Sequence, residues 1–378
     1  EVYRNACDIA NINDADLICF GVGGSHLELI EKESMPINVS NGRIQISDIN
    51  RVKEQVLKSA RRDADYLKKE TIQFVEQFYK IDDGDREVKN PLQMSGEFLK
   101  VNMAIIMGDK NEIQDYHKIA SNVNIPRPKL FAQPLASSAA VLRPDERKAG
   151  VACIDIGDQT TDIIVYRKDR IMKKIKVINK GGKKITEDIA SRFGVRLDVA
   201  EELKKKYGKA TVKLLKDEEK IKNINTLDIA GHPISIPYLE LVQTIENSLT
   251  KLFYEVIDVI NKEIQPVDIL NQGVVLTGGV ANLPDLKFHA EEVMKLPVRI
   301  GYPETGCKDL NHPEFSVSVG MLEMLANNEL YTVKSGGKFE SVKVFFRRLV
   351  EYLFRSVSYT HLRAHETEAD LVCRLLLE

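Results

Sequence analysis

The most constraining feature of the sequence is a polar turn, Asp155–Asp162, between two apolar β-rich runs at Gly150–Ile154 and Ile163–Tyr166. A carboxylate ends the first predicted strand, and the hydroxyl residues Thr160 and Thr161 open the second. A tight turn of this kind directs backbone N–H groups and hydroxyls at one point, which suits a phosphate. The neighbouring carboxylate suits a divalent cation or an attacking water. An ordinary hairpin with a polar tip is the alternative interpretation.

Three further motifs follow this turn in chain order. The first is the glycine pair at 181–182, and the second is a predicted helix, Asp198–Tyr207, that carries Glu201 and Lys204. Residues three apart share a helix face, so this carboxylate and this ammonium can point into the same cleft. The third is a buried strand that begins at Gly273 and stops at Thr277-Gly278-Gly279, where glycine permits a ligand to approach the backbone.

In this order the motifs resemble the nucleotide site of the actin, Hsp70 and sugar-kinase superfamily. More narrowly, the chain resembles the bacterial FtsA family over roughly residues 15 to 330. The segments that carry this resemblance are Asn90–Gly96, Leu135–Glu146, Gly181–Ala190, Ala200–Ala210 and Leu296–Pro303. The resemblance implies an α/β fold: an actin-like, ribonuclease H-like two-domain ATPase fold with a small inserted α+β subdomain.

The resemblance also implies that ATP and Mg²⁺ bind between the two domains. Asp155 would coordinate the magnesium through the attacking water. The residues implied at the nucleotide are Gly157, Thr160 and Thr161 for the phosphates, the pair Gly181 and Gly182, Glu201 and Lys204 for the ribose or base, and Thr277, Gly278 and Gly279 beside the adenine. Asp158 and Gln159 replace glycines of the family turn. They narrow the approach and add negative charge, which favours a structural nucleotide and at most weak ATPase activity.

The domain organisation follows from the same resemblance. We expect an N-terminal truncation that removes the first phosphate loop, because the chain starts at Glu1 in what reads as mid-domain sequence. The expected units are residues 1–32 and 112–145 for the first domain, 33–111 for the inserted subdomain, and 146–330 for the second domain with a lobe at about 185–237. Residues 331–341 form a predicted flexible linker.

Composition excludes several classes of function. The net charge of −2 gives no electrostatic support to nucleic-acid binding. Five scattered cysteines indicate a reducing compartment rather than a disulfide framework or a zinc site. No run approaches the ~20 apolar residues of a membrane-spanning helix. We therefore expect a cytoplasmic protein.

The local patterns predict individual elements. Apolar spacing predicts helices at about 49–66 and about 237–261. Short strands are predicted at Arg43–Ile46, Thr211–Leu215 and Thr226–Ala230, among others.

The spacing of apolar and charged side chains in residues 342–355 predicts an amphipathic helix. At ~100° per residue, the large apolar groups occupy one arc and the charged groups the opposite side, and the segment Lys338–Arg355 carries a net charge of +3. This pattern is typical of a helix that lies in a membrane interface, although a terminal helix packed on the domain is the alternative. The predicted membrane contacts are Val342, Phe345, Phe346, Arg347, Arg348, Leu349, Val350 and Leu353.

The last segment, residues 356–378, resembles translated adapter sequence, and we exclude it from the predicted fold. The resemblance implies a scaffold on the inner face of the membrane that forms filaments, tethers the FtsZ C-terminal tail through the 185–237 lobe, and recruits later division proteins. Other actin-fold ATPases, such as a pilus-assembly platform or a chaperone, are the alternatives. A small-molecule kinase is less favoured, since no sugar or acid pocket is visible.

Overall fold

A computed structural model describes residues 17–82, 84, 86–122, 128–168, 171–263, 270, 272–305, 308–326 and 373–375. The strands are β1 Leu17–Val22, β2 Glu28–Glu33, β3 Ile37–Asn38, β4 Lys69–Ile81, β5 Phe98–Asp109, β6 Lys129–Ala132, β7 Val151–Ile156, β8 Thr161–Arg167, β9 Ile171–Ile178, β10 Asn223–Leu227, β11 Pro233–Pro237, β12 Val274–Thr277, β13 Val298–Ile300 and β14 Cys373–Leu375. The helices are α1 Ile46–Tyr66, α2 Lys110–Asn122, α3 Gln133–Val141, α4 Pro144–Ala149, α5 Gly182–Phe193, α6 Leu197–Tyr207, α7 Asp217–Lys220, α8 Tyr238–Glu263, α9 Leu286–Met294 and α10 Ser316–Ala326. The predicted linker and amphipathic helix lie outside the described residues.

A five-stranded sheet in the order β13-β12-β7-β8-β9 forms the centre of the second domain. β12 runs parallel to β13 and β7, whereas β8 is antiparallel to both β7 and β9. Every residue of β7 and β12 is buried, as expected for strands covered on both faces. Alternate side chains of β7 pack against α5, α6, α8 and α9 on one face and against α3 and α10 on the other.

The first-domain sheet consists of β6, β1 and β14 among the described residues. β6 is parallel to β1, and Cys373–Leu375 pairs antiparallel with Leu17–Cys19 on the other edge. These three residues belong to the segment 356–378, which we excluded from the predicted fold. An edge strand presents unpaired N–H and C=O groups, and the extended backbone of these three residues pairs with them.

The inserted unit is a sheet with one helix. β5 is central, with β4 on one side and β2 and β3 on the other, all antiparallel. Alternation along β5 divides its side chains between two buried faces: Met103, Ile105 and Met107 pack under α1, while Ala104 and Ile106 face the two domains. The insert is thus covered on both sides, by its own helix and by the rest of the protein.

Both predicted helices form, but three short strands differ from prediction. Arg43 makes only an isolated bridge to Ser95, and α1 begins at Ile46, where the Asp48 carboxylate accepts the N–H of Gln45. Thr211–Leu215 is a turn, because the Thr211 hydroxyl accepts the N–H of Lys213 and donates to Glu246.

The third strand begins and ends earlier in the chain than predicted. β10 stops at Leu227, because the Asp228 carboxylate accepts the N–H groups of Ala230 and His232 and turns the chain. Side chains that satisfy the neighbouring backbone therefore compete with strand pairing at these positions.

Candidate nucleotide site

The turn after β7 closes as a short hairpin. The N–H of Gly157 donates to the carbonyl of Thr160 at 2.9 Å. Both strands extend further into the turn than predicted, so Asp155 lies inside β7 and Thr161 begins β8. Thr161 is fully buried, and its hydroxyl donates to the Lys180 carbonyl at 2.7 Å. Thr160 is the more accessible of the two hydroxyl residues, so it is the better placed for a phosphate.

The glycine pair docks the N-terminus of α5 onto this hairpin. The N–H groups of Gly182 and Lys183 donate to the carbonyls of Gly157 and Asp158 at 2.8 Å each. A Cβ at Gly181 would overlap both of those carbonyl oxygens, which explains the need for glycine. Two first-turn donors of α5 are therefore already used. The Gly157 N–H, which closes the hairpin, is used as well.

Two buried carboxylates lie side by side at the base of the hairpin. Asp155 and Asp162 are directly opposed in the β7–β8 pair and are 7% and 4% exposed. Directly opposed residues share a sheet face, so their negative charges are close together. The hydroxyl of Ser316, at the start of α10, donates to Asp155 Oδ2 at 3.2 Å. Sequence reasoning did not assign Asp162 a role, although its symmetric place across the turn from Asp155 was a visible signal.

Glu201 and Lys204 form an ion pair on α6, with 2.7 Å between Oε2 and Nζ. Lys204 is buried, and its Nζ also donates to the Gly182 carbonyl at 3.1 Å and to the Thr186 hydroxyl at 3.0 Å. Burial raises the pKa of the Glu201 carboxyl, but hydrogen bonds from Lys204 and Thr186 and the lysine charges outweigh burial and hold that pKa below its ordinary value. The pair thus anchors α6 to the start of α5.

The Thr277-Gly278-Gly279 loop follows β12. Thr277 is fully buried, and its hydroxyl lies 3.1 Å from the carbonyls of both Gly301 and Pro313, so its side chain supports the loop from inside. Gly278 has φ of 87°, and a Cβ there would overlap Asp155 Oδ1. Gly279 is exposed and has open space where a Cβ would lie. Gly279 is therefore the member of the loop that can border a ligand.

The four motifs meet at Gly182. A Cβ at this position would stand 3.1 Å from Val280 Cγ2, 3.2 Å from Lys204 Nζ and 3.6 Å from the Gly157 carbonyl oxygen. The hairpin, the glycine pair, the α6 helix and the glycine loop are thus brought to one place. Thr186, which bonds both Glu201 and Lys204, belongs to the same cluster and was missed because its partners are distant in sequence.

A second buried ion pair lies outside these four motifs. Both Nε and Nη2 of Arg299 on β13 donate to Glu146 on α4, at 2.5 Å each. Glu146 is 2% exposed and also accepts the backbone N–H of Arg143. Burial raises the pKa of the Glu146 carboxyl, but the Arg299 and Arg143 hydrogen bonds and charges hold it below its ordinary value. This pair joins the connection between the domains to the edge of the second-domain sheet.

No helix among the described residues is long and apolar enough to cross a membrane. The predicted membrane contacts, from Val342 to Leu353, lie outside those residues. Within the described ranges there is also no group of three or more His, Cys, Asp or Glu side chains that could hold a metal by themselves. Mg²⁺ does not need such a group, because it is commonly bound by one or two carboxylates, waters and substrate phosphates. The Asp155–Asp162 pair fits that pattern.

Two family models match the chain: "Cell division protein FtsA" over residues 152–320 and "SHS2 domain inserted in FTSA" over residues 24–107. The cell division protein FtsA of Neisseria meningitidis is 32% identical over an alignment of 322 residues, and the match covers 82% of this chain and 76% of that protein. FtsA of Bacillus subtilis is 28% identical, and the match covers 82% of this chain and 68% of that protein.

Among solved structures, the chain matches MreB5 of Spiroplasma citri bound to ADP with TM-score 0.48 and 19% identity, over 58% of this chain and 66% of that one. A PilM–PilN type IV pilus biogenesis complex also has TM-score 0.48, with 15% identity and coverage of 78% and 75%. The family matches confirm the predicted actin-like α/β class with its inserted α+β subdomain and the role in cell division. The chain belongs to the FtsA family of cell division proteins.

Proposed function

We propose that this chain is an ATP-binding scaffold that attaches FtsZ to the inner face of the cytoplasmic membrane. One observation supports nucleotide binding: the hairpin, the glycine pair, α6 and the glycine loop meet at Gly182. At the edge of this cluster, Gly279 has open space beside it, which leaves backbone that a base can approach. The second domain thus supplies one wall of a nucleotide cleft.

The proposed roles follow the geometry. The hairpin N–H groups and the Thr160 hydroxyl bind phosphate oxygens. Asp155 and Asp162 would hold Mg²⁺, which would offset the repulsion between these two adjacent buried carboxylates. Glu201 and Lys204 lie beside the ribose, and Gly279 borders the adenine. When bound, the metal would neutralise phosphate charge. The side chains at Asp158 and Gln159 support a nucleotide held mainly for assembly.

The FtsZ part of the proposal concerns the lobe that contains α5. A groove of about 450 Å³ lies between α5 and the start of α8. Two acidic and two basic side chains line it, Asp188, Glu240, Arg192 and Lys251, together with Asn247. A polar groove with charges of both signs can bind an extended peptide through paired charges and side-chain amides. We place the FtsZ C-terminal tail in this groove.

The membrane part concerns residues 342–355. Basic side chains near an anionic surface contribute ~1 kcal/mol each, but one short helix gives weak binding, since stable anchoring usually takes two signals. Head-to-tail assembly of many copies would add avidity. Filament formation and membrane attachment are therefore coupled in this proposal, and later division proteins would join the assembled form through the inserted subdomain.

Co-flotation tests the tether directly. The full chain and FtsZ are mixed with vesicles that contain anionic lipid. The chain should float with the vesicles, and FtsZ should float only when the chain is present. The double variant Phe345→Glu and Leu349→Glu should leave both proteins in the pellet, because it places charge on the apolar face. The matched control Val344→Glu, on the polar side of the predicted helix, should float like the wild type. Equal flotation of the double variant, or of FtsZ without the chain, would refute the tether.

A further inference from the structure

Two buried glutamine side chains connect the inserted unit to both domains. Gln73 and Gln77 lie on β4 and are 2% and 1% exposed. Both stand at β-bulges, since the β4–β5 register shifts between Thr71 and Gln73 and again between Glu76 and Phe78. A bulge changes the direction in which a strand presents its side chains. These irregularities allow β4 to turn two amides towards the rest of the protein, on the sheet face opposite α1.

Gln77 binds the second domain through both ends of its amide. Nε2 donates to the Met172 carbonyl at 3.1 Å, and Oε1 accepts the Met172 N–H at 3.2 Å. This is the pattern that a neighbouring strand residue would make, so the side chain substitutes for backbone at the edge of the central sheet. Met172 lies on β9, the strand that leads to the glycine pair of the candidate site. An ion pair between Lys173 of β9 and Glu31 of β2 lies beside it, at 2.6 Å.

Gln73 binds the first domain through one end only. Its Oε1 accepts the N–H of Ala132 at 2.7 Å, at the junction between β6 and α3. Its Nε2 is buried and makes no hydrogen bond within the described part of the chain. An unsatisfied buried donor costs about as much as a hydrogen bond contributes. The Gln73 contact is therefore the weaker of the two.

We propose that Gln73 and Gln77 form a latch that fixes the inserted unit across the two domains. A relative rotation of the domains has to break one of these contacts, and the Gln73 side yields first because its amide is half satisfied. The insert then moves with β9 rather than with β6. The face that the insert presents to partner proteins is in this way coupled to the arrangement of the domains. This inference does not depend on nucleotide binding.

Residue-resolved hydrogen exchange on the full chain without nucleotide tests the latch. Gln77→Met keeps the side-chain volume and removes both hydrogen bonds, so exchange of the Met172 amide should rise about tenfold or more, with little change at Ala132. Gln73→Met should raise exchange at Ala132 by a smaller factor and leave Met172 unchanged. Gln55→Met, on α1 at the opposite face of the sheet, should change neither amide.

A second readout follows the insert as a whole. Spin labels at the exposed positions Glu54 of α1 and Lys251 of α8 should give a narrow distance distribution in the wild type and a broader one in the Gln77→Met protein. Should Gln77→Met fail to fold, Gln73→Met supplies the same test at Ala132. Exchange at both amides within twofold of the wild type, together with an unchanged distance distribution, would overturn the latch.

Discussion

Two buried ion pairs in the second domain have similar burial and charge, but we propose different roles for them. Glu146–Arg299 and Glu201–Lys204 both join a nearly inaccessible group to a partly exposed partner, and in both cases the carboxyl pKa lies below its ordinary value. The first pair joins α4 to β13 and lies outside the four motifs of the candidate site. The second lies within one helix and bonds the Gly182 carbonyl. Burial and charge pairing therefore do not identify a site; adjacent backbone that a ligand can approach does.

The largest expected effect is on stability, at Glu146. Glu146→Gln removes the negative charge that pairs with the Arg299 guanidinium at a buried position. Removing one member of a buried ion pair lowers the free energy of unfolding by about 3 kcal/mol. Urea unfolding measures this difference. The control Glu240→Gln breaks an exposed pair with Arg192 and should cost less than about 0.5 kcal/mol. A Glu146→Gln cost as small as that of the control would show that the pair does not hold the domain connection.

A smaller effect, and a different one, is expected at Glu201. Glu201→Gln should weaken binding of a fluorescent ATP analogue about tenfold, or about 1.4 kcal/mol. Stability should fall less than in the Glu146 variant, because Lys204 keeps the Gly182 carbonyl and the Thr186 hydroxyl as acceptors. Glu202→Gln, exposed on the same helix, is the control and should bind like the wild type. If Glu201→Gln lowers stability but not affinity, the two pairs have the same role.

The smallest expected effect is on the pH dependence of stability, to which both carboxyls contribute in the same direction. Because each folded pKa lies below the ordinary glutamate value of about 4.3, the stabilising contribution is complete above that value. It is lost as the pH falls through the folded pKa. The stability difference between wild type and Glu146→Gln should therefore be full at pH 7 and smaller near pH 3. A difference that grows on acidification would contradict the assigned direction of the pKa shift.

The sequence predicted the helices whose apolar residues recur with a strong helical period. It also showed the four candidate site motifs in their chain order. α1 and α8 differ from their predicted bounds by only a few residues because a buried stripe repeats over many turns. The identities of hydroxyl partners were not predictable. Thr161 and Thr277 both bond carbonyls remote in sequence, Lys180 in one case and Gly301 and Pro313 in the other. A hydroxyl in a turn motif has the same sequence signature whether it meets a ligand or the fold.

The strand Cys373–Leu375 shows another limit of sequence reasoning. Its pairing with β1 depends on an edge that only the assembled sheet presents. The latch glutamines are a similar case, because a polar residue within a strand gives no sign of which backbone it will contact. Pairing between distant segments, rather than local propensity, decided each of these outcomes.

The affinity of Gly279→Leu for a fluorescent ATP analogue in the presence of Mg²⁺ tests whether a nucleotide binds between the hairpin and the glycine loop. A Cβ at Gly279 would meet no atom within 4 Å, so the variant is expected to unfold at nearly the same urea concentration as the wild type. It would occupy the space assigned to adenine, and affinity should fall by more than about 30-fold, or about 2 kcal/mol. Unchanged affinity in a folded Gly279→Leu protein would contradict a nucleotide bound between the hairpin and the glycine loop.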